Sequence, residues 1–147
     1  MRFFIIPGEP VAKARPRVTK NGAFTPDKTK NYETLVKELY FYEHGKKPML
    51  EGMLSIEISA YFAIPKSANG SKKKAMIDGK VRPVKRPDID NVIKSITDAL
   101  NNIAYNDDSQ IVSVLAEKYY SDKPRVEIRL LETEDSHGKN KIRLDSD

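Results

Sequence analysis

The stretch PDIDNVIKSITDALNNIAYNDDSQIV, from Pro87 to Val112, decides the fold. Between Val92 and Ile103, apolar residues recur at helical spacing, which predicts an amphipathic helix over about residues 88–104. Aspartate stands where the N-cap of that helix belongs, and Asp107-Asp108 follow the helix in a predicted turn. A strand is predicted next, over Gln110–Tyr120. The stretch therefore encodes a helix with carboxylates at both ends that leads into a strand.

Outside this stretch the sequence predicts one further helix and three further strands. The helix runs from Thr25-Pro26-Asp27 to about Tyr42. Its predicted apolar stripe consists of Tyr32, Leu35, Val36, Leu39 and Tyr42. The strands are an apolar run over Arg2–Ile6 and two alternating segments over Met53–Ile64 and Arg125–Leu131. We expect the last strand to return antiparallel to the one before it as a hairpin.

The predicted order of elements is β-α-β-loop-α-β-β. This order is typical of a single α+β (α/β) domain in which helices pack against a mixed sheet. At 147 residues the chain has the length of one domain with its own core. We expect the domain to span residues 1–131 and a polar, flexible tail to follow over residues 132–147.

Composition excludes several classes of protein. The chain has no cysteine and two histidines, which excludes disulfide scaffolds, thiolate zinc sites and cysteine nucleophiles. The N-terminal apolar run is too short for a signal peptide, and no apolar run reaches the roughly 18 residues of a membrane span. We therefore expect a soluble, cytoplasmic protein with no membrane partner.

Charge is divided unevenly along the chain. The formal net charge is +5, but residues 1–87 carry 18 basic and 8 acidic side chains, whereas residues 88–147 carry 8 and 13. Two segments supply the basic excess: residues 11–20, expected to be extended or looped, and residues 66–87, a long loop with room for a short helix around Ser71–Met76. Clustered cations attract a polyanion through counterion release, although a solvated loop that binds nothing is the alternative. The second segment has no aromatic residue, so we expect it to contribute charge alone.

The carboxylates at the two ends of the predicted helix are the sharpest functional signal. Asp88 and Asp90 lie where a loop becomes the helix, and Lys94 and Asp98 share a helical face with Asp90. They have an ordinary interpretation as a cap, a surface ladder of ion pairs and, at Asp107-Asp108, turn chemistry. However, a cap or a turn needs one carboxylate, and each place has two. Antiparallel packing of the following strand could bring the two groups together.

The type of these side chains indicates which metal they would bind. Carboxylates without cysteine favour a hard cation, Mg²⁺ or Mn²⁺, over zinc. Beside a surface that binds a polyanion, such a cluster is the arrangement expected for metal-assisted cleavage of phosphodiesters. Lys94 would then neutralise charge that develops on the phosphate in the transition state.

This region of the sequence resembles the RusA family of Holliday-junction resolvases. The resemblance rests on PDIDNVIKSITDALN followed by NDDSQIV, on K-x-R-P-R upstream, and on a lysine-rich loop after Pro65-Lys66-Ser67. It extends from about Ile5 to Leu131. It implies a homodimeric, Mg²⁺-dependent endonuclease that nicks two opposed strands of four-way junction DNA.

The resemblance also assigns roles residue by residue. Asp88, Asp90 and Lys94 match catalytic residues, and the later catalytic carboxylate falls on Asp107 or Asp108, of which we favour Asp108. The metal would be held by these four aspartates. The basic side chains that would hold DNA phosphates are Lys13, Arg15, Arg17, Lys72, Lys73, Lys74, Lys85, Arg86 and Lys118.

Two other functions stay open from the residues themselves. One is a less selective metal-dependent nuclease that uses the same carboxylates on flaps or forks. The other is a nucleic-acid-binding module in which the acids are only caps and ion pairs. The junction resolvase differs from both in needing two symmetric nicks, which a two-fold dimer supplies with two copies of one site.

Overall fold

The computed structural model describes residues 1–13, 17–24 and 27–133, without the side chains of Arg17, Ala23 and Phe24. In chain order the elements are β1 (Arg2–Pro7), β2 (Arg17–Thr19), β3 (Gly22–Phe24), α1 (Asp27–His44), β4 (Leu54–Ala63), α2 (Gly70–Ile77), α3 (Ile89–Leu100), a 3-10 turn (Asp108–Gln110), β5 (Ile111–Ser121) and β6 (Arg125–Glu132). The predicted class, an α+β domain with a mixed sheet, is confirmed. Most of the predicted tail lies outside the described residues.

A four-stranded mixed sheet organises the domain in the order β1-β6-β4-β5. Strand β4 pairs in parallel with β5 on one side and antiparallel with β6 on the other, and β6 pairs antiparallel with β1. The predicted hairpin of the last two strands is therefore wrong, because β4 lies between them. The short connection over residues 122–124 passes the end of β4, where Ala63 pairs with Ser121 and Tyr61 pairs with Arg125.

Burial accounts for this order of strands. The inward side chains of β6 are fully buried, and the strand takes an inner position with a partner on each side. Strand β5 keeps Val112 and Val114 exposed and takes an edge. Turn residues between two strands show that the strands are neighbours in the chain, which does not make them neighbours in the sheet.

Helices α1 and α3 pack against each other and against the inward face of the sheet. The β4 side chains predicted to share one face are all buried: Leu54, Ile56, Ile58 and Ala60. The helix side chains in the same core include Tyr32, Val36, Tyr40, Val92, Ile96 and Leu100. This packing fixes the axis of α3, and with it the positions of the carboxylates at both ends.

One residue of the predicted stripe on α1 is placed wrongly. The buried positions of α1 are Thr29, Tyr32, Val36, Tyr40 and His44. Tyr42 is 86% exposed, because residues four apart share a helix face and the series 32, 36, 40, 44 excludes it. At the inner face of the helix, the buried Arg2 donates to the Tyr40 hydroxyl (2.6 Å) and joins β1 to α1.

The two basic segments contain secondary structure that the sequence indicates only in part. In the first, where we expected an extended segment or loop, β2 pairs antiparallel with β3, which follows the segment. In the second, α2 agrees with the expected short helix, and residues 78–88 form a loop, hereafter the 78–88 loop, that leads to α3. Within the described part of the chain, no helix has the length and apolar character needed to cross a membrane.

Candidate active site

The N-terminal end of α3 presents two exposed carboxylates. Asp88 is the N-cap residue by position, with extended backbone (φ −66°, ψ 149°), yet its side chain makes no capping hydrogen bond. Asp90 lies in the first turn and is exposed as well. The partial positive charge of a helix N-terminus favours both carboxylates there. Capping therefore does not account for the Asp88 side chain, and both groups face solvent.

Further along α3, the described side chains do not form the ladder of ion pairs that the ordinary interpretation assigns to them, and a different contact is present. Lys94 is exposed, and no ion pair joins it to Asp90 or Asp98 among these described side chains. Asp98 is half-buried and lies 3.7 Å from Lys13 Nζ. Lys94 consequently keeps its ammonium group in solvent on the same side of the helix as Asp90.

Lys13, predicted to contact DNA, is half-buried and forms ion pairs within the protein. Its ammonium lies between Glu33 of α1 and Asp98 of α3. Its backbone N–H donates to Asn91 O (3.2 Å) in the first turn of α3. Lys13 therefore joins the segment before β2 to both helices, a role that its position in a basic run did not indicate.

The second carboxylate group lies in the turn between α3 and β5. Asp107 accepts a hydrogen bond from the Ser109 hydroxyl (2.5 Å), and its backbone N–H donates to Gln110 Oε1 (3.0 Å). The backbone N–H of Asp108 donates to Asn101 Oδ1 (3.0 Å) at the end of α3. Asp107 thus has a role in the turn itself, as turn chemistry predicts.

The pKa values of these two aspartates move in opposite directions. The Ser109 hydroxyl is the largest of the influences that hold the pKa of Asp107 below its ordinary value. The pKa of Asp108 is raised, first by partial desolvation and then by the negative charges of Asp107 and Asp98. Carboxylates repel one another at this end of α3, and a bound cation would relieve that repulsion.

Helix α3 holds the two carboxylate groups apart. Its 12 residues span about 18 Å at 1.5 Å per residue, with Asp88 before the helix and Asp108 after it. In the ranges that the structure describes, no group of three or more Asp, Glu, His or Cys side chains is placed to hold a metal. The expected meeting of Asp88 and Asp90 with Asp107 and Asp108 does not occur within one chain.

A buried tyrosine that follows α3, and that no sequence pattern singled out, fixes the second group. Tyr105 is fully buried, and its hydroxyl donates to Thr97 O (2.6 Å) in α3. Burial raises the pKa of Tyr105 far above its ordinary value, and the charge of nearby Asp108 adds to the effect. One feature of the sequence could have indicated that Tyr105 is buried. It is an aromatic residue directly after an amphipathic helix, in a segment that is otherwise polar.

We expect Tyr105→Phe to lower the free energy of unfolding by about 1–2 kcal/mol, because Thr97 O loses its buried donor while the ring still fills its site. Urea denaturation followed by circular dichroism measures the change. Tyr42→Phe, at an exposed position of α1, is the control and should be neutral. Equal midpoints for Tyr105→Phe and the wild type would contradict the assigned role.

The 78–88 loop is held against β5 at two points. Arg82 forms an ion pair with Glu117 (2.6 Å) and lies over the Tyr119 ring, 4.3 Å from its centroid. Lys118 Nζ donates to Lys85 O (2.6 Å). Lys118, predicted as a DNA contact, therefore positions this loop. Arg82 is the other anchor, which the sequence interpretation counted only as charge.

The other predicted DNA contacts lie on the surface near this loop or outside the described residues. Those with exposed side chains are Lys72, Lys74, Lys85 and Arg86. Lys73 is 3.7 Å from Asp122, and an exposed pair of this kind contributes little to stability. Arg15 lies outside the described residues, and of Arg17 only the backbone is described.

Comparison with known proteins identifies the class. Residues 7–131 match the family model described as Endodeoxyribonuclease RusA, and the chain therefore belongs to the RusA family of endodeoxyribonucleases. A relative from Bacillus subtilis (strain 168), named Uncharacterized protein YqaN, is 39% identical over 135 residues, which cover 88% of this chain and 94% of the relative. The Crossover junction endodeoxyribonuclease rusA of Lactococcus phage r1t is 44% identical over 48 residues, 32% of this chain and 37% of that protein.

Proposed function

We propose that this protein is a Mg²⁺-dependent, homodimeric endonuclease of the cytoplasm that resolves four-way DNA junctions by paired symmetric nicks. Membership of the RusA family supports the nuclease activity, and the name of the phage relative supports the junction as substrate. The observation that carries the proposal is the exposed pair of Asp88 and Asp90, which follows directly on the exposed Lys85 and Arg86.

The donor atoms at the start of α3 fit the proposed metal. Mg²⁺ commonly binds through one or two carboxylates together with waters and substrate phosphates. Asp88 and Asp90 provide two exposed carboxylates of this kind. Mn²⁺ shares the preference for oxygen ligands. Held there, the metal would supply Lewis-acid stabilisation of the phosphate under attack.

The surrounding cations have separate tasks in this proposal. Lys94 follows Asp90 by one helical turn, so its ammonium lies near enough to neutralise charge developing on the same phosphate. Lys85 and Arg86 bind neighbouring phosphates and hold the strand over the carboxylates. Lys118 keeps the 78–88 loop in place for both tasks.

The exposed edge of β5 supports the proposed homodimer. Its side chains Val112, Val114 and Leu115 are 59%, 44% and 54% exposed. Helix α2 also contacts β5, and the 78–88 loop reaches the later part of the strand, where Arg82 pairs with Glu117. An unpaired edge with apolar side chains is a template for another strand. We infer that β5 pairs antiparallel with β5 of a second copy.

A two-fold axis requires a symmetric register, and we take Ser113, in the exposed part of β5, as the residue on the axis. Residues opposite each other must have numbers that are symmetric about the residue on the axis. With Ser113 on the axis, Val112 lies opposite Val114 of the second copy, and the 3-10 turn that contains Asp108 precedes β5 on the side of the second copy's Lys118. This register matches apolar with apolar side chains and brings a carboxylate toward an ammonium.

The same pairing would complete the separated site. Lys118 holds Lys85 O, so it lies beside the chain that leads into Asp88 and Asp90. When Asp108 of one copy approaches Lys118 of the other, it also approaches that carboxylate pair. Each of the two sites then draws its carboxylates from both copies, and the helix that separates them within one chain is no obstacle.

Incubation with a synthetic four-way junction and a matched linear duplex tests the proposed function. We expect symmetric paired nicks on the junction in Mg²⁺, no cleavage in EDTA, and no cleavage of the duplex. Denaturing gels with each strand labelled in turn show the positions of the nicks. Cleavage of both substrates would establish the less selective nuclease instead, and tight binding without metal-dependent cleavage would contradict any nuclease assignment of the site.

A further inference from the structure

The 78–88 loop carries an apolar side chain that charge does not explain. Val84 is 100% exposed, and its neighbours Arg82, Lys85 and Arg86 are basic. The cations draw the loop toward DNA phosphates. A valine gains nothing from a phosphate, because its only favourable contact is with another apolar surface. Val84 is therefore suited to contact bases, in a loop whose cations are suited to contact the DNA backbone.

The structure holds Val84 outward between two anchors. Two residues before it, Arg82 is tied to β5 by its ion pair and ring contact. The next residue, Lys85, is tied to β5 through its carbonyl, which accepts from Lys118 Nζ. Pro83 between the anchors is buried and has a restricted φ. A side chain presented in this way loses little conformational freedom when it binds.

DNA offers an apolar surface only where base stacking is interrupted. In a continuous duplex each base plane is covered by its neighbours, whereas at the branch point of a junction the stack can open. Proteins that bend or open DNA insert apolar side chains between base steps in the same manner. Val84 precedes Asp88 by four residues, so a base contact by Val84 would be close to the phosphate that is cleaved.

We propose that Val84 is a specificity-determining residue that packs against unstacked bases at the branch point of the DNA. This inference rests on the proposed function and deepens it, because it names the feature of the substrate that the loop recognises. Charge attracts the protein to any DNA, and Val84 supplies a preference for the branch. Residues 66–87, expected from their composition to contribute charge alone, would then contribute charge together with one apolar contact from Val84.

The test is the fluorescence of 2-aminopurine placed at the branch point of a four-way junction, with the full-length protein in EDTA so that no cleavage occurs. We expect the wild type to raise the fluorescence by unstacking the base, and Val84→Ser to lose most of that rise. In Mg²⁺, Val84→Ser should cleave the junction about tenfold more slowly, the usual scale for loss of an apolar contact. Val84→Leu should retain both signals, and the salt dependence of binding should not change.

Val18→Ser is the matched control, since it removes the same side chain from a position of β2 that is 84% exposed. It should behave as the wild type. The inference is overturned if Val84→Ser keeps the fluorescence rise and the cleavage rate, or if Val18→Ser loses as much. A wild type that binds and opens the junction without cleaving it in Mg²⁺ contradicts the proposed function and leaves the role of Val84 supported.

Discussion

Asp90→Asn should slow cleavage of a four-way junction by roughly 10³-fold, because a metal ion stabilises the transition state by several kcal/mol and each 1.36 kcal/mol is tenfold in rate. Binding should be unchanged or tighter, since the amide has the shape of the carboxylate and removes a negative charge that faces phosphate. Single-turnover cleavage in Mg²⁺ and gel-shift titration in EDTA separate the two effects.

The matched control for this variant is Asp78→Asn. Asp78 is exposed at the C-terminal end of α2, in the same basic region, and does not lie at a helix N-terminus. Both substitutions remove one negative charge, so any general gain in DNA affinity should be shared, whereas only Asp90→Asn should lose cleavage. Normal cleavage by Asp90→Asn would show that the carboxylates at the start of α3 do not hold the metal.

A mixture of Asp90→Asn and Asp108→Asn copies should recover cleavage that neither variant has alone. If each site takes Asp90 from one copy and Asp108 from the other, a mixed dimer has one site with both carboxylates intact and one with neither. About half of the dimers in an equal mixture are mixed on statistical grounds. Because each mixed dimer has a single intact site, the product should be single nicks at about one quarter of the wild-type number of sites.

A second substitution provides the control for this experiment. Val114→Arg placed in both variants puts a charge at the centre of the exposed part of β5 and should prevent the recovery, while α3 and the core stay unchanged. Sedimentation of the wild type and of Val114→Arg reports dimer and monomer directly. No recovery from a mixture that sediments as dimers would show that each site lies within one copy.

Features that depend on spacing within one element were predictable from the sequence. The apolar residues that recur at helical spacing from Val92 predicted α3. The alternation of apolar and polar residues predicted β4 and β6 and the side chains that they bury. Asp88 and Asp90 fell at the start of α3 for the same reason, because a helix boundary is a local property. The DNA-binding role expected of residues 66–87 likewise came from composition, and it stays a prediction.

Features that depend on contacts between distant segments were not predictable. Lys13 forms ion pairs with Glu33 and Asp98. Charge alone does not distinguish such a lysine from one that is free to bind DNA. Nor does it show that Lys118 donates to a backbone carbonyl. The order of strands has the same cause, because the burial that draws β6 between β1 and β4 involves the whole sheet.

The inner position of β6 has a consequence for synthesis of the protein. Among the strands in the described residues, translation completes β1 first and β6 last, yet β6 pairs with β1 on one side and β4 on the other. A nascent chain that has not reached residue 132 leaves β1 and β4 without their common neighbour, and the sheet cannot close around them. Helix α3 is translated earlier and packs on α1 and β5, but the sheet that contains β5 lacks its inner strand until β6 is made. An unfinished copy therefore has the carboxylates of α3 without the complete sheet on which the domain packs.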